Sequence, residues 1–559
     1  MLSDEIEGAL YLSYDELPHH LKLYFLYCAL YSEDSAILRH VITRLWIAEG
    51  FVEEIQGQIL EDIAEEYYYE LIHRNLLQPD KNYFDLAGCK MHDLLRQLAC
   101  NISREECFVG DNESLKGENM SKLRRVTVIS KKDMLVLPSI DKMEVKVRTF
   151  LTIRGPHRIE DTLFKRFLLL RVLVLNYSLV ESIPNCIGEM IHLRLLNLDY
   201  TGISCLPESI GSLKNLQVLI LRYCKALHSL PSAMTQLCSL RCFCLIGGEI
   251  NHVPKGIGKL KFLSDLRGFP VGNGSDNADA QDGWELEELS CVSQMRSLIL
   301  NRLKCAAHCS SNTVLTDKNH LKELSLEWTE QREEKYQEED VSNAEGVFEQ
   351  LIPPRNLEAL FIRLYFGRRY PTWFDTTYLC SLIHLTLRYS RSCVDLPPLG
   401  QLPNLKYLLI VGSYALTKVG PEFVGYRNRD PICSELVAFP KLEWLIIRDM
   451  PNWEEWSFFE EVEEFAVNEG RGDGAAETHP EDAESARLSL LPRLLMLRFE
   501  YCPKLRTLPW QLGEDTTNLK MLKLIGTNNL KAVENFPHLA DLLLRLCSVN
   551  PLPKRIGGD

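Results

Sequence analysis

FLLLRVLVLNYSLVESIPNCIGEM (167–190), IHLRLLNLDYTGISCLPESIGSL (191–213), KNLQVLILRYCKALHSLPSAMTQL (214–237) and CSLRCFCLIGGEINHVPKGIGKL (238–260) are four rows of one pattern. Laid under one another, they bring Leu170, Leu193, Leu216 and Leu240 into one column and Pro184, Pro207, Pro231 and Pro254 into another. Both columns advance by 23 or 24 residues. That period, carried by an L-x-x-L-x-L unit, defines a leucine-rich repeat. In the second row Leu193, Leu196 and Leu198 are expected in the core. Arg194, Leu195, Asn197 and Asp199 are expected to point outward, by the two-residue alternation of a strand. Leu206-Pro207 and Ile210-Gly211 carry the chain round the back to the next strand. One row cannot cover its own apolar face, so neighbours must stack. A stack of this kind offers an extended surface to a partner rather than a pocket for chemistry.

The 559 residues exceed one ordinary core and call for several domains or a solenoid. No run of 18 apolar residues is present, so no spanning helix is expected. The start, MLSDEIEGAL, has no basic region followed by an apolar segment, so no secretory signal is read. The expected location is therefore inside the cell, cytoplasmic, with nuclear or peripheral plasma-membrane positions left open. The 18 cysteines then read as reduced thiols. Cys242 and Cys244 form a C-x-C, but no second Cys/His pair lies at zinc spacing, and no metal site is expected. The net charge of −15 argues against nucleic-acid binding. Acidic insertions are read near 330–346 and 454–486; residues 454–484 hold twelve acids against Arg471 alone. They read as solvated loops between rows.

Residues 1–110 follow a helical rhythm instead. LPHHLKLYFLYCAL (17–30) places Leu21, Phe25, Cys28 and Ala29 on one face. Ser35 is placed to cap a second helix with Leu38, Val41, Ile42, Leu45 and Trp46 inward, stopped by Gly50. A third helix is expected over about 58–75, with Ile59, Ile63, Tyr67, Leu71 and Ile72 on its apolar side. Two short strands are read in 76–88 around Pro79-Asp80-Lys81-Asn82, and a further helix from Asp93. Three helices, a β wing and a closing helix describe a winged-helix domain. The fold class is thus α+β, a small helical winged-helix domain followed by a leucine-rich-repeat solenoid, a parallel β horseshoe. Residues 111–166 form a transition with degenerate first repeats (123–130 and 147–153). Regular repeats fill 167–270 and irregular ones 271–559. The rows total roughly 13 to 15.

At this point a resemblance becomes specific. LSYDELPHHLKLYFLYCALYSED (12–34), ITRLWIAEGFV (42–52) and Lys90-Met91-His92-Asp93 resemble, in order, the winged-helix part of plant NB-ARC leucine-rich-repeat disease-resistance proteins of the coiled-coil subclass. YPTWF (370–374), LPPLGQLPNLKYLLI (396–410) and FPKLEWLIIRDMPNWEEW (439–456) are similar to that family's variable repeats. The resemblance implies an intracellular immune receptor. Its repeats recognise a pathogen effector or a guarded host protein, and its winged helix relays the event to a nucleotide switch. It also implies that His92, within the switch motif Met91-His92-Asp93, contacts the β-phosphate of ADP. An imidazole can bond a phosphate oxygen, and Asp93 as a helix N-cap would hold it in place. The family's G-x-x-x-x-G-K-[ST] phosphate loop, which cradles the nucleotide, does not occur in this sequence. No bound cofactor is therefore expected for this chain, whereas full-length members take ADP or ATP. The chain is read as truncated to the winged helix plus repeats, and the missing nucleotide-binding half is itself a candidate partner.

No catalytic constellation is present, and no enzyme activity is expected. The position after each L-x-L core is expected on the concave face. It gives Asn176, Asp199, Arg222, Glu327, Arg363, Arg388, Arg448, Glu500 and Arg545, with Tyr223, Phe361, Tyr365 and Tyr389 alongside. The expected binding face is Arg222, Tyr223, Arg363, Tyr365, Arg388, Tyr389 and Arg448, since arginine and tyrosine are common interface anchors. It would suit an acidic protein partner, or the acidic 454–484 insertion folding back. A repeat adaptor such as a ubiquitin-ligase substrate receptor is the alternative. It needs an F-box-like module, and residues 1–110 match a winged helix better. A DNA-binding winged helix lacks support, because no basic recognition helix is present.

Overall fold

A computed structural model gives the fold. It describes residues 4–545 apart from 34, 81, 116–117, 130–133, 136–144, 154–157, 160–161, 273–281, 307–313, 330–335, 376–377, 426–435, 458–487, 510–511, 513–514, 531–538 and 540. The chain divides into two units, Met1–Phe269 with Gly274–Trp284, and Pro270–Asn273 with Glu285–Asp559.

The first unit opens with helices α1 (Asp4–Asp15), α2 (His19–Cys28), α3 (Arg39–Glu49) and α4 (Leu60–His73), and α5 (Asp93–Ser103) follows the wing. Leu21, Phe25, Cys28 and Ala29 are buried as the helical spacing requires. Helix α1 precedes the helices read from sequence. The α3 helix begins at Arg39 rather than at a Ser35 cap, because Ile37–Leu38 is taken up as a strand against Gly88–Lys90. Gly88–Lys90 also pairs with Gln78–Pro79, so the wing has three strands, and its last one starts at the final residue of the stretch read for it and runs past it. On α4 the buried tyrosine is Tyr68, whose hydroxyl donates to the Leu86 carbonyl at 3.0 Å; Tyr67 is half-buried. Gly50 ends α3 at φ 82°. Glycine suits it because that left-handed φ strains any residue with a Cβ.

Eight parallel strands form the repeat ladder of this unit: Cys107–Gly110, Arg125–Ile129, Thr149–Ile153, Val172–Val174, Leu195–Asn197, Val218–Ile220, Cys242–Cys244 and Asp265–Pro270. Each residue pairs with its equivalent one row away, such as Leu195 with Val172 and Val218. Leu170, Leu193, Leu216 and Leu240 are fully buried. Each such side chain contributes about 2 kcal/mol of apolar burial. Pro184, Pro207 and Pro231 stand at the N-caps of one-turn 3-10 helices, which carry the chain back.

Among the described residues the main ladder of the second unit has nine strands in parallel register, from Ser297–Asn301 to Asp541–Arg545. Together the units show more rungs than the rows read from sequence. The additions are Cys107–Gly110 and Asp265–Pro270, whose strands lack the full leucine signature. Part of the acidic run near 330–346 is not a loop. Glu338–Gln350 is a helix that buries Val341, Ala344, Val347 and Phe348. Within the second acidic stretch, Glu455–Trp456 pairs with Lys418–Val419, while 458–487 lies outside the described residues.

Candidate functional site: two inner strand faces

In the first unit the outward positions of the strands do not meet solvent. Val172, Leu195, Val218, Ile220, Cys242 and Cys244 join one core with Ile42, Leu45 and Trp46 of the winged helix. Leu195, Asn197 and Asp199, expected to point outward from the repeat core, are nonetheless buried: Leu195 joins the core shared with the winged helix, and Asn197 and Asp199 line a cavity beside it. The signal was in the sequence. These rows are apolar on both alternating sets, as strands buried on two faces must be. Cys242 and Cys244 are accordingly sealed thiols, pushed up by burial. Among the described residues no His/Cys/Asp/Glu group could hold a metal ion.

Charged pairs fasten this covering. Glu61 accepts from Arg241 at 3.1 and 3.0 Å and from the Ser264 hydroxyl at 2.9 Å. Burial alone would raise its carboxyl, but the Arg241 bonds and charge, with Ser264, bring it below the ordinary value. Arg44 meets Asp265 at 3.4 Å with both side chains buried. Arg171 donates to the Glu49 carbonyl at 2.6 Å. Beside these lies a cavity of about 260 Å³, walled by Leu38, Val41, Leu195 and Ile220 and edged by Asp199 and Arg222.

Arg222, expected on an open binding face, is half-buried and committed to Asp199. Its Nε donates at 2.7 Å and its backbone N–H at 2.8 Å to that carboxylate. Tyr223 is exposed, but in a ladder. Tyr177 stacks on Tyr200 and Tyr200 on Tyr223, each with centroids 4.5 Å apart. All three sit at left-handed φ, 59°, 55° and 56°, where the chain leaves each strand.

His92, not Asp93, is the N-cap of α5, its Nδ1 accepting from the Leu94 N–H at 3.2 Å. Asp93 is the first helical residue, while Met91 is buried. The bond at Nδ1 leaves His92 in the tautomer with its proton on Nε2.

In the second unit the inner face is three residues deep, with a mostly buried middle row between half-buried rings and the arginines. Pairing aligns His384, Tyr407 and Trp444 in one row, Phe361, Thr386, Leu409 and Ile446 in the next, and Arg363, Arg388, Val411 and Arg448 in the third. The rings run on from Phe361 to His384, to Tyr407 and to Trp444, with centroids 4.9, 4.2 and 6.0 Å apart. Leu409, Val411 and Ile446 form an apolar floor. Sequence reasoning missed Tyr407 and Trp444, which stand one residue before each first core leucine of the strand. Tyr365 is corrected: it is fully buried, its hydroxyl donating to the Arg369 carbonyl at 2.7 Å. It stands three residues past Ile362, where neighbouring rows bury Ser390, Ser413, Met450 and Cys502. Arg363 meets Glu327 at 3.7 Å, and Arg448 meets Asp449 and Glu500, each at 3.6 Å. Among the described residues Arg388 has no such partner, and its Nε is buried without an acceptor. Tyr389 follows it at φ 59°, its ring close over Gly412.

Stacked parallel rows capped by a winged helix define a repeat-type binding protein, and the comparisons agree. The leucine-rich repeat region family matches residues 146–458, and the disease resistance protein winged helix domain matches residues 30–99. The chain belongs to the disease-resistance proteins that join this winged helix to leucine-rich repeats. Disease resistance protein RGA2 of Solanum bulbocastanum is 30% identical over 533 residues, 94% of this chain and 50% of its own. RGA4 of the same plant is 30% identical over 540 residues, 96% of this chain and 47% of its own. Disease resistance protein RPH8A of Arabidopsis thaliana is 33% identical over 196 residues, 32% of this chain and 21% of its own. The chain thus spans about half the length of the first two of these relatives or less. Among the described residues no helix is long and apolar enough to cross a membrane.

Proposed function

We propose that this chain is the recognition part of an intracellular plant immune receptor. Its repeats bind a pathogen effector or a guarded host protein, and its winged helix carries that event to a nucleotide switch supplied by other segments. The observation that supports the relay is the covering of the first repeats by the winged helix, with Glu61–Arg241 and Arg44–Asp265 buried between them. A displacement of those repeats cannot leave the winged helix in place without parting buried charges. The two parts are therefore bound to move together.

For the switch itself, His92 offers one donor, Nε2. A single donor does not neutralise a diphosphate, and the neighbouring Lys90 is 3.7 Å from Asp80. These residues do not make a nucleotide site by themselves, and we derive no nucleotide step from this chain.

The test is co-expression in leaf cells with a separately encoded nucleotide-binding half of a relative. Co-purification of the two is expected. Glu61→Arg is expected to change the cell-death response, and adding Arg241→Glu is expected to return it towards the native level. Absence of co-purification together with an unchanged response in both variants would remove this reading.

A further inference from the structure

On the inner face of the second unit, Arg388 stands between two arginines whose charges are already answered. Its own is not, among the described residues. Arg363 lies beside it on one strand, with Glu327 in reach, and Arg448 two strands further on meets Asp449 and Glu500. Neighbouring strands are about 4.8 Å apart, so three guanidinium groups share a patch about 15 Å long. Burial lowers the Arg388 guanidinium below its ordinary range, and the like charges of Arg363 and Arg448 lower it further. A buried donor without an acceptor costs about 1–3 kcal/mol. An arriving anion would offset that cost and relieve the repulsion.

The surroundings narrow the anion. Beside Arg388 are the apolar floor Leu409, Val411 and Ile446 and the rings of Tyr407 and Trp444. A free inorganic ion would leave the half-buried rings of Tyr407 and Trp444 uncovered. Nucleic acid would bring phosphates, but a base needs an open aromatic face on which to stack. Here Phe361, His384, Tyr407 and Trp444 lie against one another, so each inner ring already has a ring neighbour on both sides. The chain's charge of −15 also disfavours a polyanion.

We propose that this face docks a protein segment in which an Asp or Glu carboxylate, received by Arg388, sits next to a large apolar side chain that packs on the half-buried rings of Tyr407 and Trp444. This rests on the reading of the repeats as the recognition part, and it names the chemistry they select.

The test uses the full chain and two fluorescein-labelled peptides, Ser-Gly-Leu-Glu-Phe-Gly-Ser and the same peptide with Gln for Glu, read by fluorescence polarisation. The Glu peptide is expected to bind at least tenfold tighter than the Gln peptide. Arg388→Met is expected to lose that tenfold on the Glu peptide and to show no preference between the two. Trp444→Ala is expected to weaken both peptides alike. Circular dichroism melting of each variant guards against misfolding, and Arg388→Lys, which keeps the charge, is expected to retain part of the preference. Equal binding of both peptides, binding of neither, displacement by millimolar inorganic phosphate, or tighter binding of oligo-uridine would each overturn the proposal. None of those outcomes touches the relay reading, which is tested separately by the Glu61 and Arg241 reversals.

Discussion

Glu61 on the fourth helix of the winged helix holds Arg241 in the repeats with both carboxylate oxygens, at 3.1 and 3.0 Å. Both side chains are largely shielded, and the ion pair sits where apolar contact might have sufficed. Breaking such a pair from one side strands a buried charge and costs about 3–5 kcal/mol, whereas replacing both partners with apolar residues costs far less. Glu61→Met and Arg241→Met should each lower stability by that amount, and the double variant should lose less than either single one. Denaturant midpoints of the three variants check this. Because the Glu61 carboxyl lies below its ordinary value, its contribution is present above the unfolded carboxylate range and disappears as pH falls through the folded value. The deficit of Glu61→Met should shrink accordingly in acid.

Tyr200 is held at φ 55° between two stacked neighbours. A non-glycine residue at left-handed φ costs about 1–3 kcal/mol, while each aromatic contact returns about 0.5–1.5 kcal/mol. Removing the ring therefore has opposite effects depending on what replaces it. Tyr200→Gly loses two stacks but sheds the strain. Tyr200→Val loses the stacks and adds a β-branched side chain where φ is positive. Valine should be less stable than glycine by about 1–2 kcal/mol, the reverse of their order in an ordinary strand. Thermal melts of the two variants decide it, and equal stability would mean the backbone relaxes at this turn.

The leucine columns were legible because every row repeats one steric demand. Leu193 must fill the same place as Leu170 and Leu216, so a period appears. The helices of the first hundred residues were legible for a similar reason. What covers the inner face was harder to read. Val172, Leu195, Val218 and Cys242 look like outward positions when one row is read alone, since alternation says where a side chain points and not what it meets there. Only the loss of alternation across several rows signals a covered face. Tyr365 was misplaced because one residue at left-handed φ, Leu364 at 59°, turns the chain before it. The arginine row was legible as a row. That Arg388 alone in it lacks a carboxylate among the described residues depends on residues such as Glu327 and Glu500, brought near by neighbouring strands.

His384 gives a sign that can be measured. Its ring packs between Phe361 and Tyr407, and Nε2 lies 3.2 Å from the Thr386 hydroxyl. Burial, opposed by Glu323 and helped by Arg388, lowers its pKa from 6.5 to about 4. The folded state therefore holds fewer protons at this ring than the unfolded state between those values. Stability rises with pH across that window and is lost as pH falls from 6.5 towards 4. At 1.36 kcal/mol per pH unit, the full loss approaches about 3 kcal/mol. His384→Phe keeps the ring stack and removes the titration. Hydrogen exchange of the His384–Arg388 amides should speed up between pH 6.5 and pH 4 in the native chain, once the intrinsic pH effect on exchange is divided out. In the variant that local acceleration should be absent, even though carboxylates elsewhere still protonate. An identical acceleration in both chains would place the acid sensitivity of this strand outside His384.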